Sequence, residues 1–272
     1  MRLTSMLSRS WASNDELQLD SDRAMDELLE QVPGWALNPG YGDGFAMHSI
    51  RPYKLFTLLD PSDSDRTGHV AIPARRAAGS LMLLETFALI TAARIVAARR
   101  VFEIGTFHGA TTLNLALNIP EDGRIYTLDL DARAAGGLSQ LPDDARLTEE
   151  HLAVSEKLDF HGTPVARKIK TLTANSLQFD FSPWKESIDL AFIDGGHDVN
   201  TASSDTQNAL MMISRTRPSC VLWHDYHNPK YPELTRYLDE LGGQIDLFHI
   251  EDTMLCLYFN DPSGEIRAHL LS

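Results

Sequence analysis

Apolar residues fall along the chain in short dense runs, separated by longer stretches where they recur at helical spacing. That is the signature of buried strands alternating with helices. The runs are Val101–Ile104, Arg124–Leu130, Ile169–Thr173, Ile188–Ile193 and Ser219–Trp223, followed by a close pair, Ile245–Ile250 and Met254–Phe259, joined across Glu251, Asp252 and Thr253. Helical spacing predicts a long helix from about Ala74 to Ala98, with Leu81, Leu84, Ala88 and Ile95 on one face. Further helices are predicted through Leu113, Ala116 and Leu117, over Thr201–Ile213, and near Pro232–Leu241. The polar stretch Asp131–Gly162 reads as a helix with loops around it. A strand, a helix and a second strand in succession form a right-handed parallel unit. The pattern therefore predicts a doubly wound α/β domain of seven strands, mostly parallel, with an antiparallel C-terminal hairpin at one edge.

Residues 1–74 stand outside this pattern and are read as an N-terminal extension to a domain over 75–272. Within it, Asp15–Val32 supports a helix through Leu17, Leu28 and Leu29, capped by Ser13 or Asn14 and ended by Pro33 and Gly34. Asn38–Gly44 and Asp60–Gly68 are loops by composition. An extension of this length can cover a site or form a contact between copies, so a lid or a homo-oligomer interface is expected of it.

Composition narrows the partners. The 272 residues are 43% hydrophobic and 23% charged, which suits a soluble globular protein. A formal charge of −14 argues against nucleic acid or an anionic membrane, both of which reward clustered Lys and Arg, and leaves a small molecule as the expected partner. The two cysteines, Cys220 and Cys256, lie in apolar runs and read as buried thiols in a reducing cytoplasm. Met1–Ser10 has no apolar core of signal-peptide length, so a cytoplasmic protein is expected.

The candidate chemistry begins at V-F-E-I-G-T-F-H-G, Val101 to Gly109, which reads as buried strand, tight turn and helix start. Gly105 can leave the strand at angles a side chain forbids, and Gly109 lets the first helical turn approach a ligand. Phe107 stands where a dinucleotide fingerprint needs its second glycine, and no phosphate-binding G-x-x-x-x-G-K-[ST] pattern occurs. Glu103 just ahead of the turn suits a ligand with positive charge, such as an amino-acid ammonium. The stretch resembles the first motif of class I S-adenosylmethionine (SAM) dependent methyltransferases. Thr106 and Phe107, inside the turn, join the cofactor-binding set. Asp129, at the tip of the second strand, is placed to accept hydrogen bonds from ribose hydroxyls. Asn175 and Ser176, after the third strand, sit where a polar side chain could reach the adenine amino group; Asn-Ser is also ordinary turn chemistry.

Strand four ends I-D-G-G-H-D from Ile193, and strand five ends W-H-D-Y from Trp223. Together with the first motif, residues 74–260 resemble the Methyltransferase 24-like branch of Rossmann-like methyltransferases, which contains macrolide-sugar and rhamnosyl O-methyltransferases and cephalosporin hydroxylase. The resemblance implies that Asp194 and acidic residues at the end of strand five bind magnesium, and that His197 is the general base. Asp225 is the second acidic position, and His224 precedes it where relatives can carry an acidic residue. Magnesium prefers oxygen ligands, so His224 opens the site to a softer divalent metal or to none. The chemistry is consistent with this implication, because a hydroxyl must lose its proton to attack a sulfonium methyl, and a divalent ion or a general base can take that role. Alternative roles are a helix cap for His197 and a carboxylate held by backbone amides for Asp194. The expected function is a SAM-dependent O-methyltransferase acting on a sugar or secondary metabolite. A metal-dependent oxygenase on the same fold and a non-catalytic SAM-binding protein stay open.

Overall fold

A computed structural model describes residues 47–59, 68–72, 79–130 and 141–272. The helix expected over Asp15–Val32, the loop Asn38–Gly44 and all of Asp60–Gly68 except Gly68 lie outside the described residues. The described strands are β1 His48–Ile50, β2 Arg100–Ile104, β3 Arg124–Asp129, β4 Ile169–Thr173, β5 Leu190–Ile193, β6 Ser219–Trp223, β7 Phe248–Ile250 and β8 Cys256–Asn260. They form one sheet in the order β1-β7-β8-β6-β5-β2-β3-β4. The chain steps outward from β2 to β3 and β4, then returns to the other side of β2 with β5 and β6, all in parallel. The order therefore reverses between β2 and β5, which makes the carboxyl ends of these two strands the switch point where a ligand crevice is expected.

Both faces of the central strands are buried, which is why their sequences run apolar instead of alternating. On β2, Phe102 and Ile104 join one core cluster with Ile193, Trp223 and Leu238, while Val101 joins the other with Phe192, Leu222 and Leu89. Trp223 is almost fully buried, and its indole N–H donates to Thr206 Oγ1 at 2.9 Å, so its one polar atom is satisfied. Cys220 and Cys256 are buried free thiols, as expected, and burial pushes both well above the usual thiol range. Among the described residues, no helix is long and apolar enough to cross a membrane.

Two expectations about the sheet change. The last two strands do form an antiparallel pair, but β8 inserts between β7 and β6, antiparallel to both. The edge is instead β1, paired in parallel with β7. His48–Ile50 was expected to lie outside the sheet, and the sheet has eight described strands rather than seven. Three residues with one buried apolar side chain, Ile50, are too short a run for periodicity to register. Leu55, in the helix Pro52–Phe56 that follows, is also fully buried in the main core.

The long helix begins at Leu83, later than expected, and ends at Ile95. Glu85 explains the start: its carboxylate Oε2 accepts the Met82 N–H at 2.7 Å, satisfying one of the donors that a helix start leaves open. Helix Pro142–Val154 occupies part of the polar stretch after β3.

Gly105 lies at φ +98, and a Cβ there would stand 2.0 Å from the Asp194 carbonyl oxygen. Gly162 is also left-handed at φ +77, but a Cβ there would meet nothing within 4 Å. Gly162→Ala should therefore cost only the backbone penalty, about 1–2 kcal/mol. Gly105→Ala should cost several times more, or abolish cooperative unfolding, because β2 and β5 would have to separate. Urea unfolding of both variants checks this; equal costs would show that the close approach is not required.

Candidate functional site

A cavity of about 260 Å³ opens at the carboxyl ends of β2 to β6, walled on the far side by helix Pro142–Val154 and the loop around Tyr231. One end is built on the glycine turn. Asp129 Oδ2 accepts the backbone N–H of Thr106 and of Phe107, both at 2.8 Å, and Oδ1 accepts that of Leu130 at 2.7 Å. A strand-end carboxylate thus fixes the turn after β2 while still lining the cavity. Gly105 and Phe107 line it too, Phe107 holding a left-handed φ of 48.

Three expected cofactor residues stand behind this wall rather than in it. Glu103 is fully buried and accepts hydrogen bonds from Thr112 and, at 2.5 Å, from Thr127 Oγ1; its Oε1 has no hydrogen-bond partner among the described residues. Burial pushes its pKa up to about 8, so at neutral pH, with no cation beside it, it is largely uncharged. Thr106 is buried, its hydroxyl 2.6 Å from that of Thr127. Gly109 is the left-handed cap of helix Ala110–Asn118, and a Cβ there would meet the Phe160 ring at 2.8 Å, so backbone angle and side-chain packing already call for this glycine.

Asn175 and Ser176 do line the cavity. Asn175 Oδ1 accepts the Leu177 N–H at 3.0 Å, which leaves one lone pair on that oxygen and the amide hydrogens for a ligand. Behind them Asp205 is a fully buried carboxyl that burial pushes up to about 7.

The other end gathers acids around two imidazoles. His224 Nδ1 lies 3.1 Å from Asp194 Oδ1 and 3.3 Å from Asp225 Oδ2, and Nε2 lies 3.3 Å from Glu85 Oε2. Burial works against a charge on His224, but these three carboxylates hold its pKa well above the usual imidazole range. His197 bridges Asp144 Oδ1 at 2.5 Å and Asp225 Oδ2 at 2.8 Å, and its ring stacks on Tyr231 at 3.8 Å. Burial opposes its charge as well, yet the two carboxylates raise it to about 9. Asp225 is held well below the ordinary carboxylate value by both imidazoles, against the penalty of its burial. Its φ of 63, rare for a non-glycine residue, turns the chain so that Asn228 Nδ2 donates to Oδ1 at 2.5 Å.

The expected metal set, Asp194, His224 and Asp225, therefore converges: one ligand atom from each lies within 4.8 Å of the others. For His197 the geometry departs from a free base, because both ring nitrogens face carboxylates and the ring is protonated at neutral pH. Nor does it cap the following helix; Asp198 does, accepting the Thr201 N–H at 3.0 Å. The Asp194 carboxylate pairs with His224, and among the described residues no backbone amide donates to it.

Glu85, Asp144 and His151 were missed. Glu85 had a signal, a lone acid in the apolar pattern L-M-L-L-E-T-F-A-L-I. Asp144 and His151 had none, because they lie in a polar helix whose contact with the strand ends no local pattern encodes. His151 Nδ1 lies 2.6 Å from the Phe107 carbonyl oxygen, and Asp143 accepts from Tyr231 Oη at 2.7 Å and Lys230 Nζ at 2.9 Å. These contacts hold helix Pro142–Val154 over the cavity.

Residues 102–226 match a family model described as a methyltransferase domain. The chain is 29% identical over 127 residues to catechol O-methyltransferase domain-containing protein 1 of Mus musculus, covering 46% of this chain and 40% of that protein. It is 31% identical over 90 residues to an Arabidopsis thaliana protein provisionally named a caffeoyl-CoA O-methyltransferase, covering 33% and 35%. The chain thus spans less than half the length of these curated relatives. Among solved structures it is similar to the O-methyltransferase TomG of Streptomyces achromogenes, involved in tomaymycin synthesis and solved with SAM: 19% identity, 65% of this chain and 80% of that one, TM-score 0.43. The methyltransferase resemblance drawn from the motifs is borne out by the family match.

The buried Glu103 makes stability depend on pH. Its folded pKa of about 8 exceeds the ordinary 4.5, so the folded state binds this proton more tightly than the unfolded chain does. Stability is then fully present below 4.5 and falls as pH rises toward 8. Glu103→Gln, which cannot ionise, should remove this fall, a change on the order of a few kcal/mol across the window. Denaturant melts at successive pH values read it directly, and parallel curves for the two proteins would contradict a neutral Glu103.

Proposed function

We propose that this protein transfers the methyl group of SAM to a hydroxyl oxygen of a small molecule, a sugar or secondary metabolite. The observation that carries this reading is one cavity joining two unlike ends: a glycine turn strapped by Asp129, and the cluster Asp194, His224 and Asp225. The family match over 102–226 supports it. The donor chemistry of the first end fits the nucleoside part of the cofactor. Asp129, oriented by three amides, keeps lone pairs for ribose hydroxyls, and Asn175 offers N–H donors to a purine ring. Glu103 shapes the turn from behind.

At the second end, two carboxylate oxygens and one imidazole nitrogen within 4.8 Å fit a divalent ion. When bound, such an ion would lower the pKa of a coordinated hydroxyl. Asp194, His224 and Asp225 would hold it, and the aromatic Tyr231 would wall the acceptor. His197 acts in this reading by position: as a protonated bridge it holds Asp225 in place and ties it to Asp144 on the covering helix. The rival oxygenase rests on His224, but the cluster holds a single imidazole with two carboxylates, where non-haem iron oxygenases use two and one.

Calorimetric titration of SAM and of its demethylated product should show binding in the micromolar range. Asp129→Ala should weaken it at least tenfold while the protein still unfolds cooperatively. An absence of binding with or without divalent metal would remove the methyltransferase reading.

The bridging role of His197 has its own signature. Its folded pKa of about 9 lies above the ordinary 6.5, so its stabilising contribution is complete below 6.5 and is lost as pH rises through about 9. His197→Gln should lower the unfolding midpoint at neutral pH, with the gap to the unaltered protein narrowing as pH passes about 9. A gap independent of pH would return His197 to the role of an uncharged base.

A further inference from the structure

Glu85 has no place in the reading above, yet it is the most enclosed carboxylate near the cluster. It projects from the first turn of helix Leu83–Ile95 and is fully buried. Oε2 accepts the Met82 N–H at 2.7 Å and Oε1 accepts the Met254 N–H at 2.9 Å, so amides on two separate segments hold the group rigidly. Helix capping explains the first bond alone. The second brings the carboxylate across to the segment before β8, and the outcome is Oε2 at 3.3 Å from His224 Nε2.

That contact decides which imidazole nitrogen is free for a cation. The Glu85 carboxylate stands at ion-pair distance from Nε2 without hydrogen-bond geometry, so it favours a hydrogen on that atom through charge alone, and Nδ1 faces Asp194 Oδ1 at 3.1 Å and Asp225 Oδ2 at 3.3 Å. An imidazole nitrogen and two carboxylate oxygens converging on one point repel one another unless a proton or a cation stands between them. A histidine backed by a carboxylate is also a better electron donor, because the second partner fixes the ring and raises its basicity.

We propose that Glu85 is a positioning residue which presents His224 Nδ1 as a metal ligand beside Asp194 and Asp225, and that the site takes an imidazole-accepting divalent ion such as Mn2+ or Co2+ in preference to Mg2+. The physical ground is the donor set. Mg2+ favours oxygen ligands and near-ideal octahedral geometry, whereas the later first-row ions bind imidazole well and gain from it. The proposal rests on the metal part of the functional reading, not on methyl transfer itself.

The test is metal binding by the intact protein, with MgCl2, MnCl2 and CoCl2 as separate probes. Calorimetry should give Co2+ at least tenfold tighter than Mg2+, and pulsed electron paramagnetic resonance of the Mn2+-loaded protein should show coupling to an imidazole 14N. His224→Asp should abolish that coupling and cut the Co2+ to Mg2+ preference about tenfold. Glu85→Gln should weaken Co2+ binding roughly 10- to 100-fold. That range is the usual effect of removing such a partner. A purely structural Glu85 would alter the melting temperature but leave the 14N coupling and the Co2+ affinity of the folded fraction unchanged, and that result would overturn its role. If Glu85→Gln fails to fold, the metal preference and 14N coupling of the unaltered protein still decide the metal part: equal affinities without coupling overturn it. Binding of SAM with no binding of any metal ion would sink this proposal and spare the methyltransferase reading; binding of Co2+ without SAM would do the reverse.

Discussion

The close approach of Gly105 to the Asp194 carbonyl, where even one added carbon would stand 2.0 Å away, is the contact on which the site depends. It joins the ends of β2 and β5 at the point where the strand order reverses. A wider separation would split the cavity in two, with the glycine turn and Asp129 on one side and the acidic cluster on the other. The backbone N–H of Asp194 also donates to the Ile104 carbonyl at 2.8 Å, so sheet pairing runs up to the point of contact. The two halves of the site are therefore parts of one rigid edge, and their spacing is set by backbone and not by side chains.

Around that edge the chain buries more charge than stability alone would favour. Four carboxylates, Glu85, Asp144, Asp194 and Asp225, meet two imidazoles, His197 and His224, all with little exposure. Taking such groups out of water costs several kcal/mol for each ion, and mutual attraction offsets this only where geometry is good. Apolar residues of the same size would often serve stability equally well. What the charged set adds is definition. Each ring has one orientation, and Asp225 is held on both sides by rings whose far nitrogens are engaged by other acids. The network also spans elements distant in sequence, since Glu85 and Asp144 reach strand ends from two different helices.

The parts legible in the sequence were those encoded locally. β4 and β6 run over the predicted residues; for β6, buried along its whole length, the dense apolar run is the cause. Asp129, Asp194, His224 and Asp225 stood out as polar residues closing such runs, and all four line the cavity. Legibility failed where the cause was tertiary. His48–Ile50 is too short to carry a period, and the insertion of β8 beside β6 depends on pairing that no hairpin signal specifies. For Glu103 the motif carries no sign of depth: its protonation follows from burial against Thr112 and Thr127. Asp144 could not be seen at all, since its partner lies 53 residues away.

The unequal edges of the sheet bear on how copies of this chain could meet. Among the described strands one edge is β1, only three residues long, and the other is β4, whose outermost row includes the exposed Lys170. A short strand offers few unpaired amides, and a lysine on an edge must be stripped of water before another strand can lie beside it. Neither margin is a good template for continuing the sheet from one molecule into the next. Self-association, where it occurs, would fall to helical faces, leaving the strand ends that frame the cavity open to small molecules.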